Sequence, residues 1–114
     1  MIVVCGEALI DVVESGDGTQ RATPGGGPFN TARALARLGV PTGFLGRLST
    51  DSFGQELARL LAADGVSLEL ASTGPEKTTI AMADVDSEGF AEYQFLVQGT
   101  SAPNLTSDLL PRRR

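Results

Sequence analysis

The 114-residue chain has the length of one small domain, and its hydrophobic content of 41% is enough for a core. A net charge of −5 argues against nucleic-acid or anionic-membrane partners, which require a basic surface. The absence of histidine and the single cysteine exclude histidine-activated nucleophiles, the usual zinc sites and a disulfide framework. The first apolar run, residues 2–5, is too short for a signal peptide or a membrane span, and we expect a cytoplasmic protein.

Short strands open the chain. Residues 2–5 (IVVC) predict a strand buried on both faces of a parallel sheet, with Cys5 as a small buried apolar residue. Residues 8–15 (ALIDVVES) alternate, which predicts a half-exposed strand with Leu9, Asp11 and Val13 on one face. The turn residues of GDGTQRAT, at 16–23, then lead into a return strand.

Two amphipathic helices follow, separated by one strand predicted at TGFLGRL, residues 42–48. Pro28 suits the first helical position of the first helix and Gly39 suits its end. The second helix has Ser52 and Gln55 at capping-box spacing and stops at Gly65. The apolar stripes predicted to face the core are Phe29, Ala32, Leu35, Ala36 and Leu38 in the first helix, and Phe53, Leu57, Leu60 and Leu61 in the second.

The last third changes character. TTIAMADVD (78–86) and FAEYQFLV (90–97) alternate as a hairpin whose turn contains Gly89, and Phe90, Tyr93 and Phe95 are expected to pack a sheet face. A further helix is predicted to start at about Thr106 or Ser107, and Arg112, Arg113 and Arg114 to form a solvated tail. This βαβα pattern looks unfinished, because parallel strands need helical cover on both faces.

The glycine-rich stretch PGGGPFNTARALARLG, residues 24–39, fits neither common glycine-loop template. A dinucleotide fingerprint begun at Gly25 needs a glycine at position 30, where Asn30 stands. A P-loop needs a glycine–lysine pair, but the one lysine, Lys77, follows Glu76. Taken alone, the glycines also suit a tight turn, and Asn30 could satisfy a neighbouring loop.

Four segments, in order, resemble the amino-terminal part of a ribokinase-like (PfkB) carbohydrate kinase, closest to the fructokinase-like members. The segments are GEALID (6–11), PGGGPFNTARALARLG (24–39), GRLSTDSFGQELARLLAADGV (46–66) and TTIAMADVDSEGFAEYQF (78–95). The resemblance implies an α/β fold, an incomplete ribokinase-like three-layer sandwich over residues 1–114. It also implies a small β-sheet lid from strands at about 8–23 and 78–97, with the carboxy-terminal ATP-binding portion absent.

The resemblance further implies a sugar site. Gly26 and Gly27 would let the backbone approach a sugar closely. Asn30 would donate to and accept from its hydroxyls, and Asp11 would accept from others. Asp11 could equally be an ordinary solvent-facing strand residue, and Asp51 is expected to serve the second helix's amino terminus rather than a ligand.

The implied activity is phosphoryl transfer from ATP, with Mg²⁺, to a sugar hydroxyl. The family's catalytic aspartate belongs to a later motif, so this chain is predicted to hold no catalytic residue and no metal site, and to be inactive alone. The alternative is a non-catalytic sugar-binding or lid-mediated interaction module. A homodimer through the lid fits either hypothesis, and the sequence does not indicate which sugar is used.

Overall fold

The computed structural model describes residues 1–112. In chain order the elements are β1 (Ile2–Cys5), β2 (Leu9–Glu14), β3 (Gln20–Gly25), α1 (Gly27–Arg37), β4 (Thr42–Leu45), β5 (Arg47–Ser49), α2 (Ser52–Ala63), β6 (Ser72–Gly74), β7 (Ile80–Val85) and β8 (Ala91–Leu96). Short 3₁₀ turns follow at 102–104 and 107–109. The order of strands and helices confirms the predicted α/β class. Arg113 and Arg114, from the predicted tail, lie outside the described residues.

Within residues 1–112 the strands form three separate sheets. β1 pairs in parallel with β4, and β5 pairs in parallel with β6. The remaining strands form a four-stranded sheet in the order β3-β2-β7-β8, in which the two hairpins are antiparallel and the central pair β2–β7 is parallel. The predicted segments 8–23 and 78–97 therefore meet in one sheet. β6 was not predicted, and the strand expected at 42–48 is two strands separated by Gly46.

The core lies between the helices and the first strands. Its fully buried large side chains are Phe29, Phe44, Ile10, Leu57 and Leu61. Outside the core, Asp64, at the end of α2, binds Arg33 and Arg37 of α1 at 2.5 and 2.9 Å. Hydrogen bonds from Arg33 and Arg37 hold the pKa of Asp64 below its usual value. These contacts join the two helices at their carboxy-terminal ends.

Helix boundaries follow the predictions with two corrections. Gly39 and Gly65 stop the helices at positive φ, as predicted. Pro28 is the second helical residue rather than the first, because α1 begins at Gly27. The cap of α2 is Asp51, which accepts from Gly54 N at 2.8 Å, so the Ser52–Gln55 capping box is wrong.

Several predicted core residues are exposed in the described chain. Leu38 lies one residue past the end of α1 and is 80% exposed, and Phe53 is only partly covered in the first turn of α2. Cys5 is exposed with Ile2 and Val3, so the prediction that this strand is buried on both faces is wrong for residues 1–112. Tyr93 and Phe95 are also exposed, since no second layer covers their side of the four-stranded sheet within residues 1–112, and Phe90 is exposed in the turn before β8. The helix expected near 106 is the 3₁₀ turn 107–109.

Candidate functional site

Asp11 lies beside the start of the glycine-rich stretch. In the β2–β3 hairpin, Leu9 pairs with Gly25 and Asp11 pairs with Thr23. A Cβ added at Gly25 would overlap Asp11 Oδ2, so the absence of a side chain at Gly25 makes room for the carboxylate. Gly25 was not among the predicted site residues. A glycine is required at position 25 because of Asp11 on the neighbouring strand, so the sequence around Gly25 does not indicate this requirement.

The two predicted site glycines differ in their surroundings. Gly26 caps α1 at φ 105°, and a Cβ there would lie 2.8 Å from the carbonyl oxygen of Glu7. Gly26 is therefore required by the fold itself. At Gly27, no heavy atom of the described chain beyond the two neighbouring residues and the backbone of α1 itself would lie within 4 Å of an added Cβ. The backbone at Gly27 thus faces open space, as a ligand's close approach requires.

Asn30 occupies the first turn of α1. Its backbone N donates to Gly26 O at 2.9 Å, which closes the turn over the glycines. The residue is exposed, so its side-chain amide is accessible to solutes from solvent. The turn therefore carries Gly26, Gly27 and Asn30 together, while Asp11 approaches the same stretch from β2 through Gly25.

A cleft of about 400 Å³ lies where the four-stranded sheet meets the rest of the chain. Four chain segments line it: Gly6, Glu7 and Leu9; Thr79; Phe95 and Val97; and Ala102, Pro103 and Leu105. None of the four predicted site residues is part of this lining in residues 1–112. Asp11 nevertheless lies on the cleft's side of the sheet, because it alternates with Leu9 and stands in register with Ala81 and Phe95.

The cleft adds two residues that the sequence reasoning did not assign. Glu7 lines the cleft, and its carbonyl and Cγ lie against the Cβ position of Gly26, so it connects the cleft to the glycine stretch. Thr79 lines the cleft from the beginning of the β7–β8 hairpin. The Gly6–Glu7 pair within GEALID was the available signal for Glu7.

Asp51 acts as a structural carboxylate. Besides Gly54 N, it accepts from Thr78 N at 2.9 Å and Thr78 Oγ1 at 2.6 Å. Burial alone raises the pKa of Asp51, but the hydrogen bonds from Thr78 and Gly54 outweigh it and hold the pKa below its usual value. The expectation that Asp51 serves the helix terminus is confirmed.

Arg47 is likewise committed to a protein partner. Its guanidinium donates twice to Glu76, at 2.9 and 3.1 Å, in a partly buried bidentate pair. The hydrogen bond from Arg47 lowers the pKa of Glu76. The pair fixes β5 to the segment that leads towards β7.

The described residues carry few other features of a site. Within residues 1–112, no three Cys, Asp or Glu side chains are grouped as ligands for a metal ion. The helices of this part of the chain are too short or too polar to cross a membrane.

The sequence model of the protein family described as "pfkB family carbohydrate kinase" matches residues 1–112. The chain belongs to the PfkB family of carbohydrate kinases. Among PfkB relatives, it is 33% identical over 111 residues to a fructokinase of Klebsiella pneumoniae, covering 96% of this chain and 36% of the relative. It is 38% identical over 115 residues to a fructokinase of Rhizobium leguminosarum bv. trifolii, covering 97% and 35%.

Solved PfkB structures agree with the fold. The fructokinase of Xylella fastidiosa with bound ATP superposes with a TM-score of 0.86 at 27% identity, covering 96% of this chain and 37% of that chain. The predicted resemblance and the ribokinase-like α/β fold are confirmed. This chain spans little more than a third of the length of the relatives it matches.

Proposed function

We propose that this chain is the sugar-binding part of an ATP-dependent carbohydrate kinase of the fructokinase type, which phosphorylates a sugar hydroxyl. The observation that carries the proposal is the juxtaposition of the Asp11 carboxylate with the glycine-rich turn before α1. Family membership supplies the reaction class, and the fructokinases among the relatives favour a ketose acceptor.

The chemistry of these groups suits a polyol. A carboxylate at Asp11 accepts hydrogen bonds from hydroxyls, and the amide of Asn30 both donates and accepts. The open backbone at Gly27 leaves room for a ring to lie against the main chain. A carboxylate, an amide and an open backbone position recognise a neutral molecule with several hydroxyls better than a phosphate, since none of them is basic.

ATP and Mg²⁺ belong to the proposal for the whole kinase only. The Xylella fastidiosa fructokinase was solved with ATP. Residues 1–112 of this chain hold no cluster of metal ligands, and its glycine-rich stretch does not match a P-loop. These residues therefore do not fit an ATP–magnesium site, and we derive no step of phosphoryl transfer from them. We propose that the 114-residue chain is inactive by itself.

We also propose that the four-stranded sheet serves as a lid over the sugar and as a contact between two copies of the chain. Its outer strand β8 is exposed at all six residues, and Tyr93 and Phe95 are 66% and 61% exposed on the side that carries Asp11. An apolar face beside an unpaired strand edge favours association. The lid role would place this face over the acceptor.

Sugar binding is tested by NMR titration of the ¹⁵N-labelled chain with fructose, ribose and ketodeoxygluconate. Asp11→Asn and Asn30→Ala should each weaken binding, roughly tenfold or more for Asp11, because a hydrogen bond to a charged group is lost. Glu14→Gln on the same strand and Thr31→Ala in the same helical turn are the matched controls and should bind as the wild type. Unchanged affinity in both site variants would refute the site.

Inactivity is tested by an ADP-release assay with ATP, Mg²⁺ and the same sugars. We expect no sugar-dependent turnover. Turnover at ordinary kinase rates, roughly 1–100 per second, would mean that the chain contains an ATP site and would overturn this part of the proposal.

A further inference from the structure

The β7–β8 hairpin is joined to the rest of the chain at a compact base, formed by residues 77–79 before β7 and residues 97–102 after β8. Lys77 and Thr100 form a parallel bridge, and Ser101 N donates to Lys77 O at 2.9 Å. Thr79 and Thr100 are 2% and 9% exposed, so their hydroxyls must find partners within the protein. We call residues 77–79 and 97–102 together the hairpin base.

The hydroxyls of the hairpin base form a series of hydrogen bonds, and only one assignment of donors and acceptors is possible. Thr100 Oγ1 lies 2.5 Å from Val97 O, and a carbonyl can only accept, so Thr100 donates its single proton there. The contact of 2.7 Å between the two threonine hydroxyls must then use the proton of Thr79. Thr79 Oγ1 in turn accepts from Ala102 N at 3.0 Å. The donation thus runs from Ala102 N to Thr79, from Thr79 to Thr100 and from Thr100 to Val97 O.

This series of hydrogen bonds connects two walls of the cleft. Thr79 and Val97 line the cleft from the hairpin, and Ala102 lines it from the segment that continues through Pro103 to Leu105. The neighbouring Thr78 is bound to Asp51, so the same short segment is also tied to the start of α2. The hairpin base is therefore fixed on both sides.

β7 and β8 differ in their dependence on this base. β7 is held by its register with β2 over five residues, from Ile10–Ile80 to Glu14–Asp84. β8 pairs with β7, and its residues are all exposed. The course of the chain after β8, including the cleft wall at 102–105, is therefore set by the contacts made at residues 97–102 and by the packing of the turn 102–104 against β5.

We propose that Thr79 and Thr100 are positioning residues, whose hydroxyl pair fixes residues 97–105 against the β7–β8 hairpin and so sets the shape of the cleft. The inference goes beyond the proposed function, because it concerns how the cleft is held and not what binds in it. The experiment needs no sugar, so this inference can fail while the sugar site stands, and the sugar site can fail while this inference stands.

The experiment is residue-resolved hydrogen exchange on the ¹⁵N-labelled 114-residue chain. Thr79→Val and Thr100→Val keep the side-chain shape and remove a hydroxyl, while Thr79→Ser and Thr100→Ser keep the hydroxyl. We expect the amides of Ser101, Ala102 and Asn104 to exchange about tenfold faster in the valine variants and within about threefold of wild type in the serine variants. Amides of the β2–β3 hairpin should not change. Thr73→Val, at an exposed strand position, is the control.

Three results would overturn the proposal. Wild-type exchange in both valine variants would show that the hydroxyl pair fixes nothing. Equal acceleration in the serine and valine variants would assign the effect to packing. Acceleration spread evenly over β2, β3 and α1, or loss of folding in both valine variants while the serine variants fold, would show a global contribution to stability instead of local positioning.

Discussion

Removing the carboxylate of Asp51 should destabilise the chain more than the loss of an ordinary helix cap. Asp51 Oδ1 accepts from Gly54 N and Thr78 Oγ1, and Oδ2 accepts from Thr78 N. Thr78 is buried, so in Asp51→Ala its N–H and hydroxyl lose a charged acceptor away from water.

The magnitude follows from these contacts. Loss of the cap costs about 1 kcal/mol. Loss of hydrogen bonds to a charged group adds about 1.5–3 kcal/mol, so Asp51→Ala should lower the free energy of unfolding by about 2.5–4 kcal/mol. Asp51→Asn is the matched variant, because asparagine caps helices as well as aspartate and keeps Oδ1. Its amide nitrogen would face Thr78 N–H, and the expected loss is about 1–2 kcal/mol.

The assay is urea unfolding followed by far-ultraviolet circular dichroism, as a function of pH. Because the pKa of Asp51 is lowered in the folded state, its stabilisation is fully present above the unfolded pKa of about 4. It is lost as the pH falls through the lowered folded pKa. The difference in unfolding free energy between wild type and Asp51→Asn should therefore be constant from pH 7 to 5 and shrink below about pH 4. The other carboxylates titrate alike in both proteins, so their contributions cancel in this difference. A loss below about 1 kcal/mol in Asp51→Ala, or a difference independent of pH, would refute the reasoning.

Three further predictions test the fold. Gly54→Ala should cost about 1–3 kcal/mol in urea unfolding, because its Cβ would overlap the backbone of Ser49, whereas Gly16→Ala, in open space, should be neutral; equal effects would contradict the packing. The exposed Cys5 thiol should react fully with a thiol reagent in the folded protein, and protection until urea is added would contradict its exposure. Serine at both Tyr93 and Phe95 should reduce self-association in light scattering, whereas Phe53→Ser should not, and equal association of all three proteins would exclude the sheet as the contact.

Features that depend on neighbouring residues along the chain were predictable from sequence. The helix stops at Gly39 and Gly65 and the turn at Gly89 require positive φ locally, and all three glycines have it. Both hairpins of the four-stranded sheet follow from alternation and turn residues. The family resemblance rests on four such segments together.

Features decided by contacts distant in sequence were not predictable. Asp51 was predicted to serve the start of α2, but its hydrogen bonds with Thr78, 27 positions later in the chain, were not. The need for Gly25 comes from Asp11 on another strand. The exposure of Cys5 depends on which elements cover the faces of β1, and the apolar sequence of β1 does not indicate them. Asp11, Gly26, Gly27 and Asn30 remain predicted sugar contacts.

The parallel pairing of β2 with β7 has a consequence for how the chain acquires its structure. β1 pairs with β4 across 40 positions, Ile2 with Thr42, whereas Ile10 pairs with Ile80, 70 positions later. Closing the longer loop costs more chain entropy before any contact rewards it, and parallel pairings of distant segments form slowly. We expect the β2–β3 hairpin and the two helices to form first. One edge of β2 should stay unpaired until residues 80–84 pair with it. During synthesis and refolding this unpaired edge is the place where another chain can pair in error.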